Sequence, residues 1–147
     1  LPLNVVLDGV HASLGETLLT PTKIYVKTIL QLIQEFSIRG LAHITGGGIT
    51  ENLPRVLPNG CRAHINKGSW SIPPIFSHIQ NFGHVEEDEM YRVFNMGIGF
   101  VLIVPADKTS EVIGRATELG EMAICIGEIV KQTEGLSRVS YSLEKKS

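Results

Sequence analysis

The residues of this chain best suited to chemistry lie between His43 and Asn52, in the run His43-Ile44-Thr45-Gly46-Gly47-Gly48-Ile49-Thr50-Glu51-Asn52. Glycine lacks Cβ, so three in succession reach positive φ and let a ligand approach the main chain closely. A helix beginning directly after them leaves backbone N–H groups unpaired and carries partial positive charge, a combination that receives phosphate or carboxylate oxygens. The expected donors are the amides of Gly46, Gly47 and Gly48, with the Thr45 hydroxyl beside them. The run is not a Walker loop, because the glycine spacing differs and no Lys-Ser/Thr follows. It is not a GxGxxG dinucleotide fingerprint either.

Around this turn stand side chains with both a chemical and a structural reading. His43 offers an imidazole that acts as acid, base or donor near neutral pH, or simply bonds a neighbouring loop. Glu51 reaches ribose hydroxyls or caps helical N–H groups, and Asn52 orients a ligand amide. Arg55 binds phosphate or clamps its short helix to a carboxylate. Further along, Asn95 and Gly97 precede an apolar strand and are expected at the edge of the site, whereas Gly99 is expected to serve packing. Thr20, Thr22 and Lys23 form a second anion-capable helix start that capping alone explains. The acidic run Glu86-Glu87-Asp88-Glu89 is read as a solvated helix start and not as a metal site. No chemistry is assigned to His11, His64, His78 or His84, and no metal ligands are expected.

These residues need elements to position them. Leu1 to Leu19 reads as irregular or edge chain. Thr20-Pro21 signals a helix running to about Phe36, with Val26, Ile29, Leu30, Ile33 and Phe36 on one apolar face. Leu41 to Thr45 reads as a buried strand delivering the glycine turn, Ile49 to Val56 as a short helix, and Cys61 to Ile65 as an alternating strand. Helices are expected from Pro74 to Phe82, with Gly83 as a left-handed cap, and from Glu86 to Phe94. A strand over Ile98 to Val104, a helix over Lys108 to Glu118, and strands over Ala123 to Lys131 and Arg138 to Leu143 complete the pattern. The expected class is α+β, a three-layer α/β/α arrangement with a mixed sheet flanked by helices.

Composition bounds the function. The 147 residues make one domain of ordinary size, and such a length buries roughly 68–70% of its extended surface on folding. A net charge of -2 with mixed signs argues against a nucleic-acid footprint, so anion binding has to be local. The cysteines, Cys61 and Cys125, form no CxxC pair, which fits a reducing, cytoplasmic setting. No apolar run approaches the ~20 residues of a membrane span.

Three runs in this order carry a resemblance to a known family: Leu19-Thr20-Pro21-Thr22-Lys23-Ile24-Tyr25-Val26-Lys27, His43 to Pro58, and Phe94-Asn95-Met96-Gly97-Ile98-Gly99. Together they resemble the aminoimidazole ribonucleotide synthetases, also called phosphoribosylformylglycinamidine cyclo-ligases, and specifically their carboxy-terminal domain. The resemblance extends from about Leu14 to about Val130. Met96 stands where a smaller residue such as cysteine is expected, and Leu1 to Val10 matches no motif.

The resemblance implies a mixed sheet with helices packed around it. It also implies ATP-dependent closure of formylglycinamidine ribonucleotide to aminoimidazole ribonucleotide in purine biosynthesis. The implied partners are an amino-terminal ATP-binding domain, which would hold most of the ATP and magnesium contacts, a ribonucleotide substrate and a second subunit in a homodimer. It moves His43 toward a catalytic role. Nothing in the chain looks like the ATP-binding half, and Leu1 is not a methionine, so the expectation is a piece of a longer enzyme, inactive alone. Selenophosphate synthetase, thiamine-monophosphate kinase and a hydrogenase-maturation dehydratase are the related alternatives. A non-catalytic binding module is the alternative of a different class.

Overall fold

The first helix of the computed structural model, which describes residues 1–143, arises where irregular chain was expected. Helix α1 (Leu14–Leu18) is held by a reciprocal cap: the Ser13 hydroxyl accepts the Glu16 N–H at 3.3 Å, and the Glu16 carboxylate accepts the Ser13 N–H at 3.0 Å. The Ser-x-x-Glu spacing was the available signal. Helix α2 (Val26–Glu35) begins later than Thr20-Pro21 predicts. Thr20 to Tyr25 instead runs outside any helix, tied down by Lys23 Nζ, which donates to Glu121 at 2.6 Å. The apolar face of α2 is largely unburied. Leu32 is enclosed, whereas Val26, Leu30 and Ile33 of the predicted core face are exposed.

Strand β1 (Gly40–His43) leads through the glycine turn into α3 (Gly48–Asn52), which tightens into a 3₁₀ turn over Leu53–Val56 where Pro54 withdraws a donor. Strand β2 (Cys61–Asn66) follows, then α4 (Pro74–Gly83) and α5 (Glu87–Val93). His84, at φ 48, takes the left-handed cap position expected of Gly83. The first turn of α5 holds Glu87, Asp88 and Glu89, where the helix dipole favours them. Strand β3 (Phe100–Ile103), helix α6 (Thr109–Glu118) and strands β4 (Gly127–Lys131) and β5 (Val139–Ser142) end the described chain. Arg115 on α6 donates to both carboxylate oxygens of Glu35 on α2, at 2.7 and 2.9 Å, and holds that carboxyl below its ordinary range.

The α+β class and the mixed strand directions agree with expectation, but the strands are divided between two sheets. β1 pairs antiparallel with β3, with Ala42 opposite Val101. In the second sheet β2 lies between β4, which is antiparallel to it, and β5, which is parallel. The strand expected over Ala123 to Lys131 shortens to β4 because pairing with β2 starts at the Ile126 carbonyl.

A core cluster joins the two sheets through Ile44, Ile49, Leu53, Ala63, Ile65 and Val101. Full burial of side chains such as Ile49 and Leu53 contributes roughly 1.5–3 kcal/mol each. A second cluster, Met90, Tyr91 and Met96, lies under Trp70 and Phe76 and seats α5. Both clusters hold the glycine turn from behind.

Candidate functional site

The glycine turn is shaped by the C-terminal end of α5. Gly48, at φ +55, lies so close to it that a Cβ would collide with the Tyr91 carbonyl oxygen and come within 2.6 Å of the Phe94 oxygen. Glycine is therefore required there by packing as well as by backbone angle. Gly47, at φ +96, is the N-cap of α3, and a Cβ on it would sit 2.8 Å from the Glu51 carboxylate.

These contacts correct the expectation of three free amide donors. The Gly47 N–H donates to the Val93 carbonyl at 3.3 Å, and the Gly48 N–H donates to the Thr45 carbonyl at 3.0 Å. Among the described residues, the Gly46 amide has no such partner, and open space surrounds its Cα. Thr45 and Gly46 are exposed.

Asn52 turns inward and does not face a ligand. Its side-chain amide is buried and donates to the Gly46 carbonyl at 3.1 Å and to the Gly48 carbonyl at 2.9 Å. It staples the turn from beneath. Asn52→Ala should remove the side-chain donor that joins the Gly46 and Gly48 carbonyls and lower stability by about 2 kcal/mol, measured by urea unfolding. A change below about 0.5 kcal/mol would show the staple to be idle. Glu51 stays at the surface, 3.6 Å from Arg92 Nη1, and Arg92 in turn grips Glu89.

The Asn95-to-Gly99 turn lies against the glycine turn, since Ile44 N–H donates to the Gly99 carbonyl at 2.9 Å. The Asn95 side chain accepts the Gly97 N–H at 3.0 Å and so holds its own turn. Gly97 is packed against Pro73, with a Cβ position 2.5 Å from its Cδ. Gly99 serves packing as expected, because a Cβ there would overlap the Tyr25 hydroxyl.

His43 is exposed at the end of β1, its ring stacked on Phe100 at 5.9 Å between centroids and edge-on to Tyr25 at 6.0 Å. Its nitrogens have no partner among the described residues. Reading residues singly missed Tyr25, although it belongs to the Leu19-to-Lys27 run. Lys23, expected at an anion-capable helix start or facing solvent, pairs with Glu121.

Behind α3 lies a second unforeseen group. Lys67 places its ammonium 4.3 Å from the centre of the Tyr91 ring and 2.9 Å from Glu87. The Tyr141 hydroxyl lies 2.7 Å from the Thr50 hydroxyl, and Thr50 also donates to the Tyr91 carbonyl at 3.0 Å. Burial, with the Glu87 charge adding, pushes the Tyr91 phenol up to about 12, and burial raises Tyr141 as well. Raised phenols favour the neutral form in the folded state. The Tyr91 contribution is complete below the unfolded value of 10.0 and lost as pH climbs toward 12, and Tyr141 acts in the same direction. Circular dichroism should show alkaline unfolding in that window, and Tyr91→Phe should flatten the loss between pH 10 and 12. An unchanged profile would contradict this assignment.

Among the described residues no group of three or more His, Cys, Asp or Glu side chains converges to hold a metal ion. No described helix is long and apolar enough to cross a membrane.

A family model described as AIR synthase related protein, C-terminal domain, matches residues 4–139. The chain belongs to that family. Proteins named phosphoribosylformylglycinamidine cyclo-ligase are similar to it along most of its length. The one from Geotalea daltonii is 52% identical over 92% of this chain, and the one from Geobacter sulfurreducens is 52% identical over 95%. The one from Syntrophotalea carbinolica is 54% identical over 87%. The chain spans 39%, 40% and 37% of those relatives' own lengths, so each carries a large part that this AIR synthase related domain does not match.

Proposed function

We propose that the chain supplies the carboxy-terminal part of an ATP-dependent cyclo-ligase acting in the cytoplasm, which closes formylglycinamidine ribonucleotide to aminoimidazole ribonucleotide in purine biosynthesis. The observation that carries this reading is the 52% identity to a cyclo-ligase over 95% of the chain. ATP and magnesium would be held mainly by the amino-terminal domain of the complete enzyme, within a homodimer.

In this reaction the amide oxygen of the substrate is phosphorylated, a substrate nitrogen attacks that carbon, and the ring closes as phosphate leaves. The chain's part is to hold an anion and the reacting groups close together and away from water. The Gly46 amide and the Thr45 hydroxyl donate to a phosphate oxygen. Gly47 and Gly48 contribute by shape, since their own amides are engaged within the fold. His43, exposed and backed by Phe100, gives or takes a proton at its free ring nitrogens or donates to the anion. Glu51 accepts from ribose hydroxyls while Arg92 restrains it. Asn95 and Gly97 form the neighbouring edge, and Asn52 keeps the turn in register.

The test is phosphate release from ATP with formylglycinamidine ribonucleotide. It should appear when the chain is combined with the amino-terminal part of the Geobacter sulfurreducens relative, and neither piece should turn over alone. Turnover by this chain alone would contradict the proposed division of labour.

A further inference from the structure

A cleft of about 360 Å³ separates the two sheets, and its walls are strand edges. Every residue from Gly97 to Val104 lines it, and so does every residue from Glu121 to Ile129. Contact with a strand's face would involve alternate residues, because side chains point to opposite faces in turn. Consecutive contact within the strands, over Phe100–Ile103 of β3 and 127–129 of β4, marks an edge.

The hydrogen-bond phase agrees. Ile44 bonds Gly99, Ala42 stands opposite Val101 and Gly40 opposite Ile103, so Gly99, Val101 and Ile103 turn their polar groups toward β1. Phe100 and Leu102 consequently aim theirs into the cleft. On the other wall, Asn66 N–H donates to Ile126 and Gln132 N–H to Gly60, both at 2.8 Å. Ile126, Glu128 and Val130 therefore face β2, and the backbone of Gly127 and Ile129 faces the cleft. Among the described residues, no strand pairs with either edge. Apart from the Cys125 thiol, which donates to the Gly127 carbonyl at 3.6 Å, these donors and acceptors are open, and two such edges on a largely apolar slot form a template for another strand.

We propose that this slot receives one extended segment from the amino-terminal part of the longer protein, pairing with β3 and β4 at once and joining the two sheets into one mixed sheet. About 60% of each relative's own length lies outside the part that this chain matches, which provides the source. The slot also sets the chemistry of the segment. Leu53, Ile65, Val112 and Met122 also line it, so an apolar segment suits it, a continuous Val/Ile/Leu-type run without proline. The assignment stands on the two edges and is independent of how the glycine turn is read.

Amide hydrogen exchange tests it on the chain alone and with the amino-terminal part of the Geobacter sulfurreducens relative added as a separate polypeptide. Alone, the amides of Phe100, Leu102, Gly127 and Ile129 should exchange at least about 100-fold faster than those of Val101 and Glu128. In the complex they should slow by about tenfold or more. Leu102→Pro removes an N–H that β1 does not use, so it should abolish the protection at Gly127 and Ile129 while the β1–β3 ladder persists. Ile129→Pro should do the converse from the other sheet. The proposal is overturned if the four amides are slow in the free chain, stay fast in the complex, or become protected with rising concentration of the chain alone, which would assign the slot to a second copy.

Discussion

Gly48→Ala should be among the most damaging single-methyl changes in this chain, lowering stability by at least about 3 kcal/mol. The added Cβ meets two backbone carbonyl oxygens, of Tyr91 in α5 and of Phe94 directly after it, and neither can swing aside as a side chain would. Positive φ adds a conformational cost. For a domain of this size that corresponds to a melting temperature lower by roughly 6–12 °C. Gly46→Ala, two residues earlier, meets no atom within 4 Å and should stay within about 0.5 kcal/mol of the parent. Scanning calorimetry of the two variants checks the contrast. Equal melting temperatures would show that α5 does not press on the turn as described.

The second large effect concerns His43. In the reunited two-part enzyme, His43→Ala should lower kcat by about 10²- to 10⁴-fold, the range of a lost general acid or base. The ring is exposed, so folding stability should change by less than about 1 kcal/mol. A packing role predicts the reverse, a drop in melting temperature with unchanged kcat, because only the stack on Phe100 would be lost. The comparison of kcat with melting temperature therefore separates the two roles.

The strand-turn-helix setting of the glycines was legible in the sequence because its signals are local: apolar run, triple glycine, polar helix start. What the individual amides do was not legible. The Gly47 N–H is engaged by Val93 and Gly48 is pressed by Tyr91, residues more than forty positions away. Asn52 illustrates the same limit, since a helix-start asparagine facing a ligand and one turned under its own loop have the same spacing.

The start of α2 was misplaced for a related reason. Thr-Pro is a sound local cap, but Glu121 binds both Lys23 and Thr28, a tie from distant chain. The periodicity of α2 was real, yet it reported an apolar face without saying which body covers it. Val26, Leu30 and Ile33 are left exposed. The division into two sheets was beyond local reading too, because Ile98 to Val104 reads as a buried strand whether or not its second edge has a partner.

In the reunited enzyme, with only this chain isotopically labelled, the Gly46 amide can be followed by nuclear magnetic resonance as formylglycinamidine ribonucleotide is added. A saturable shift of the Gly46 and Thr45 amide resonances is expected, while Asn59 and Gly60, in the turn before β2, stay still. Saturable binding that leaves Gly46 and Thr45 unmoved would contradict it.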